Sequence, residues 1–464
     1  MASQQQKVQH LYLRAAFGEH PAVIKQKVNL QIHKLVDDLF DSSKQFRNLN
    51  YLEDPAKGKN VSSIRILIMI LRSPEQMRSL NNEWIKMIAA TNAGLREKMT
   101  IFWHDHFATS SQLAYLQQVQ NNTLRKHALG KFDKLLHAIA RDPAMILYLN
   151  NQQNKKDAPN ENFAREVMEL FTLGEGNIYT EKDIKEAARA FTGWTVNRKG
   201  QFEFIEKDHD DGEKEFLNQK GKFKGEDIIN ILLKEKQTSR YVVTKIYKEY
   251  VNEIPDKEVI EKLADDFYAS GYDITKLMRS IFTADWFYDE KNIGSRIASP
   301  VELLLRYKKL VALDFKEEKA QLNLQKVLGQ VLFFPPNVAG WPGGRNWVDS
   351  STLTLRMNMP VKIIEDGGFD IRPKPEFEDV SEEGTMVKTK KKAEVYSDWS
   401  KIISIFKNVK DEALADAVIE TFIQSPTNKI NRDLIKKYVD HSTEEKRIVS
   451  TIGLVMSLPE FQLI

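Results

Sequence analysis

Apolar residues recur at helical spacing along most of this chain, and that periodicity limits the fold more than any motif does. Residues 20–50, 63–90, 93–108, 112–150, 160–173, 181–192, 225–250, 256–289 and 299–332 read as amphipathic helices. Residues 397–464 return to the same pattern. Strand signals are few; FEFIEK at 202–207 reads as one arm of a hairpin. Thr180 with Asp183 gives one helix a start signal, and Gly193 ends it. The expected class is mainly α: a large multi-helix, bundle-like body with a short β-hairpin and a Pro/Gly/Trp-rich loop at FPPNVAGWPGGRNWVDS, residues 334–350. Residues 1–365 form the expected helical core domain. Residues 366–396, acidic and then basic, read as an exposed charged insertion or linker. Residues 397–464 are then C-terminal helices that pack back on the core.

At 464 residues and 42% hydrophobic, the chain can bury a core of good size. A net charge of +3, with lysines interleaved among acids, argues against a nucleic-acid partner. The absence of cysteine excludes disulfides, thiolate nucleophiles and Cys-ligated metals. No run reaches the ~18 apolar residues of a membrane span. The longest, IRILIMIL, carries Arg65 and Arg72 at its ends. MASQQQKVQHLYLRAAFG lacks a leader's apolar region, so the chain as written reads as soluble and cytoplasmic. A periplasmic or exported location requires that a leader has been removed.

The stretch PNENFAREVMELFTLGEG, residues 159–176, places Glu161, Glu166 and Glu169 on one short helix. Glu161 and Glu169 each lie four residues from Arg165, the spacing of a solvated Glu–Arg–Glu ladder. Glu166 lies at the border of the apolar face and has no basic residue three or four positions away. It either finds a partner elsewhere in the fold or stands as an acid of raised pKa.

His104 and His106 suggest an H-x-H metal site. Helical residues two apart point to nearly opposite sides, so chelation requires the helix to end near Trp103. His106 falls in the apolar stripe, as a core histidine or a desolvated catalytic one. In the DHDDG loop, His209 with Asp210 reads as a metal-ligand pair, a base with its orienter, or a solvated acidic turn. Trp341 and Trp347 flank two glycines and Arg345. Flat indoles suit sugar faces, and a guanidinium suits a carboxylate or sulfate; a structural plug is the other reading. Asp349 starts the helix that follows.

These blocks together resemble a bacterial family catalogued as domain of unknown function 1800. The resemblance runs from LRAAFG through FWHDHFATS, PNENFAREVMELFTLGEGNIYTEKDIKEAARAFTGW and HDDGEKEFL to PPNVAGWPGGRNWVDSSTLTLR and the SLPEFQ ending. It covers nearly the whole chain apart from 366–396. It implies a mainly helical fold and, through companions of sulfatase-like appearance, handling of polysaccharide or sulfated glycan. The shared pattern includes His104, His106, Glu166, Trp194, His209, Asp210, Trp341 and Trp347. Asn150 and Asn218 depart from it, the latter replacing a turn glycine.

The expected function is acid–base, or metal-assisted, hydrolysis or elimination on a carbohydrate-like substrate. Glu166 is then the acid, His106 or His209 the base, and Asp210 a further catalytic candidate. Trp341, Arg345, Trp347 and Trp194 form the substrate surface. A divalent metal, as the cofactor of the metal-assisted version, would take His104, His106, His209 and Asp210. The alternative is a non-catalytic scaffold or glycan-binding partner for a sulfatase-like companion protein.

Overall fold

The long periodic segments divide into shorter helices, at Gly130, Pro143 and Gly271 among other points. A computed structural model describes residues 2–371, 392–425 and 429–464. Segment 20–50 becomes helices Pro21–Lys27 and Ile32–Ser42. Segment 112–150 becomes Ala114–His127, Phe132–Ala140 and Pro143–Tyr148. Pro143 opens the last of these with its fixed φ, and Asp142 accepts the Met145 N–H at 3.1 Å. Segments 63–90 and 93–108 survive as single helices, Ser63–Ala90 and Gly94–His106. The protein is mainly α, with 21 α-helices among the described residues.

The sheets are small. Strand Phe202–Phe204 pairs antiparallel with Trp194–Val196, so FEFIEK does supply a hairpin arm. A second hairpin, Lys214–Phe216 with Gln219–Gly221, turns at Leu217 and Asn218, both at positive φ. Asn tolerates that conformation better than most residues, so the turn forms without a glycine at 218. Segment 366–396 is not open linker at its ends. Strands Gly368–Asp370 and Lys392–Tyr396 pair antiparallel, and Asp314–Phe315 completes the sheet. Phe369, Ile371, Ala393 and Val395 are buried in it. The middle of that segment, 372–391, lies outside the described residues.

Two apolar clusters result. One gathers Leu95, Met99, Phe102, Phe132, Phe163 and Phe171 with the helices up to Tyr288. The other joins Trp84, Leu304, Tyr307 and Phe333 to the C-terminal helices, including Val418, Ile452 and Phe461. The Gly94–His106 helix lies between them and is buried on every side. Its polar residues therefore need internal partners. Glu97 has them: Arg125 at 2.6 Å and the Trp84 indole N–H at 2.9 Å. Removing one partner of such a pair costs about 3–5 kcal/mol.

Candidate functional site

The H-D-H triplet at 104–106 ends the Gly94–His106 helix and ties three segments together. His104 Nε2 accepts the Phe333 N–H at 3.0 Å, and its ring packs on Trp84, Phe333 and Trp341. Burial pushes its pKa down to about 3, so it stays neutral. His106 points the other way. It donates from Nε2 to the Phe171 carbonyl at 3.2 Å, amid Phe102, Trp103, Phe107 and Phe132. Burial also holds its pKa well below the usual range.

Asp105, between them, accepts the Trp341 N–H at 2.7 Å through Oδ1. This bond seats the Pro/Gly/Trp loop. Gly340 must come before it: at φ +84°, an added Cβ would lie 2.6 Å from the Asp105 carbonyl oxygen and closer still to Oδ1. Asp105 keeps a partly exposed edge, and its second oxygen makes no hydrogen bond among the described residues. Burial raises its carboxyl to about 6, against the pull of Lys245 and the Trp341 amide.

Lys245 comes from the Lys236–Tyr250 helix, which presents Tyr241, Lys245 and Glu249 at successive four-residue steps. Burial lowers the Lys245 ammonium, opposed by the charge of Asp105. It too remains partly open to solvent. Behind this pair lies a buried ionic network. Arg296 reaches Glu249 at 2.7 Å and Glu302 at 3.7 Å. Lys98 touches Glu302 and lies 3.9 Å from Glu249. Glu302 is fixed by its own helix start, accepting the Ser299 N–H at 2.6 Å. On the loop side, a Cβ on Gly344 would lie 2.9 Å from Glu253. A carboxyl raised and an amine lowered by burial, close enough for their charges to interact and both partly exposed, are the kind of perturbed groups found at sites of proton transfer.

The expected site residues fall in separate places. Glu161, Arg165 and Glu169 do form the ladder, both contacts at 3.2 Å, and Glu181 joins Arg165 at 2.8 Å. Glu166 is half-buried with no ion pair among the described residues. Its carboxyl is raised by burial and then by Glu169, as expected of an unpartnered acid. No hydrogen bond or ion pair joins it to His106, His209 or Trp341 among the described residues.

His209 is a buried turn residue, with Nδ1 3.0 Å from the Thr192 carbonyl. Asp210 is held by Arg189 at 2.7 and 3.2 Å and accepts the Gly212 N–H at 2.8 Å. Arg189 keeps its carboxyl below the ordinary range. The proposed metal ligands His104, His106, His209 and Asp210 therefore do not converge. Among the described residues no group of three His, Asp or Glu side chains is placed to hold a metal ion. The helix runs to His106 instead of ending near Trp103, which keeps the two histidines apart.

The indoles need the same correction. Trp194, Trp341 and Trp347 are 1%, 6% and 5% exposed, so they are core rather than open sugar platforms. Trp194 packs on Phe163, Phe191 and Phe202. Arg345 alone of that set is exposed. Asp349 caps its helix as expected, accepting from Ser351 and Thr352 N–H at 2.9 and 2.8 Å.

The family model described as protein of unknown function (DUF1800) matches residues 10–463. The chain belongs to that family. No curated protein and no solved structure matches it. The match shows kinship over nearly the whole chain. Asp105, Lys98, Lys245, Glu249, Arg296 and Glu302 were not singled out from sequence. A signal existed. Lys98 and Asp105 are seven apart on a helix whose same face carries Phe102, and Lys245 and Glu249 repeat at four. Charges at core-facing helical positions mark either an ionic network or a site.

Proposed function

We propose that this protein is an acid–base enzyme, a hydrolase or lyase for a carbohydrate-like substrate, and that Asp105 and Lys245 carry the proton transfers. The single observation behind this reading is the pair itself. A carboxyl pushed up to about 6 and an amine pushed down interact through their charges, both partly exposed, where the glycine-built loop is seated on the carboxyl. Asp105 serves as the proton donor below about pH 6 and accepts a proton above it. Lys245 takes or stabilises the opposite charge. Glu249, Arg296, Lys98 and Glu302, joined in one ionic network beside Lys245 on its helix, are positioning residues. Exposed Arg345, on the same loop, offers a guanidinium to an acidic or sulfated substituent. A divalent metal has no part in this scheme, because the candidate ligands do not meet.

The test is a panel of neutral, uronate-containing and sulfated glycans, read for new reducing ends and for unsaturated products. Turnover by the wild type, lost in Asp105→Asn and in Lys245→Met while both variants keep their circular dichroism, is the expected result. Unchanged turnover in Asp105→Asn would remove the assignment. No turnover on any member, with retention of the chain by an immobilised glycan, would favour the non-catalytic scaffold or glycan-binding reading instead.

A further inference from the structure

The Ser63–Ala90 helix has two unlike halves. From Ser73 onward it buries Met77, Leu80, Trp84, Ile85 and Ile88. Before Ser73 it buries nothing, although every residue from 64 to 71 except Arg65 is apolar. Ile64, Leu67, Ile68 and Leu71 are 75%, 56%, 44% and 69% exposed. Ten residues of helix, roughly 15 Å, thus form a rod that turns one apolar stripe to solvent. A monomeric protein rarely leaves so contiguous an apolar surface in water.

We propose that this rod seats in the interfacial layer of an anionic lipid membrane, holding the protein on the surface without crossing it. Three observations select that occupant. First, Ile64, Leu67, Ile68 and Leu71 fall at i, i+3, i+4 and i+7 and form one continuous exposed apolar stripe, while Ile66, Met69 and Ile70 on the other side are mostly covered, the one-sided pattern of a helix lying in a membrane interface. Second, Arg65 and Arg72 lie near its two ends with no ion pair among the described residues, placed to reach lipid phosphates. Third, no Asp or Glu occurs from Pro55 to Pro74, whereas Lys59, Arg65 and Arg72 do, besides Lys57, which is paired, and Glu75 follows only at the end that enters the body. The two acids just upstream are engaged: Glu53 with Lys57 at 3.2 Å, and Asp54 with the Ala56 N–H at 2.8 Å. Like charge at both ends opposes pairing with a second copy of the same segment. No helix among the described residues is long and apolar enough to span a bilayer, so the contact is interfacial.

The experiment is flotation of the full chain with phosphatidylglycerol-containing vesicles and with pure phosphatidylcholine vesicles. The wild type is expected to float with the anionic vesicles and far less with the neutral ones. Leu67→Asp with Leu71→Asp, both at exposed positions and checked for unchanged circular dichroism and melting, should lose binding by ~tenfold or more. Arg65→Gln with Arg72→Gln should lose the preference for anionic lipid and its sensitivity to salt. A wild type that floats with neither vesicle overturns the proposal. So does a wild type that light scattering shows as a dimer and the double Asp variant as a monomer, since the rod would then be a self-association surface.

Discussion

Asp105 and Asp210 each stand directly after a buried histidine, and their surroundings drive them in opposite directions. Asp210 is clasped by Arg189 and by a backbone N–H, so its anion is favoured and its role is to fix a turn. Asp105 receives one backbone N–H and the more distant pull of Lys245, and burial outweighs both. A guanidinium in direct contact makes a structural anion. A desolvated carboxyl with a spare oxygen and an accessible edge makes a proton carrier.

That contrast can be broken at four points. The largest effect should come from Gly340→Ala, which forces a Cβ into Asp105 and an unfavourable positive φ together. A loss of about 4 kcal/mol or more is expected in chemical denaturation. Near-wild-type stability would mean the loop is not seated on Asp105. Next is Arg189→Met, which leaves Asp210 and Glu186 without their shared cation. A cost of about 2 kcal/mol at neutral pH is expected, shrinking as pH falls and Asp210 protonates.

Asp105→Asn should act with the opposite sign. The amide oxygen still accepts the Trp341 N–H, and the burdened ionisation is gone. Because the folded pKa of Asp105 lies above its unfolded value, its contribution is full below the unfolded value, near 4, and falls as pH rises toward about 6. The variant should therefore match wild type near pH 4 and exceed it by about 1–2 kcal/mol at pH 7. A variant weaker than wild type at pH 7 would show that Asp105 is an ordinary paired anion, like Asp210. The smallest effect belongs to Glu161→Gln: under about 0.5 kcal/mol, because Arg165 keeps Glu169 and Glu181 and all are partly solvated. A larger loss would move that ladder from surface to framework.

Much of the fold was legible because its signals are local. The capping box at Thr180 and Asp183, the cap at Asp349, the hairpin arm at Phe202 and the Arg165 ladder all depend on residues within a few positions. The breaks near Gly130 and Gly271 were readable in principle, yet the apolar period ran through them and suggested longer helices. The site was less legible. A histidine in an apolar stripe has the same sequence signature whether it is inert or catalytic. An indole beside glycines looks like a platform until another element covers it, as His104 does for Trp341.

The sequence by itself determined a mainly helical protein, the helix starts at Thr180 and Asp349 and the pairing of Glu161 and Glu169 with Arg165. It also determined that the family's pattern runs nearly end to end. Tertiary structure decided which carboxylates meet a cation and which do not. Arg189 is 21 residues from Asp210, and Lys245 is 140 from Asp105. The free energy of a charge is set by what surrounds it in space, and helical periodicity carries no record of which distant helix supplies that neighbour.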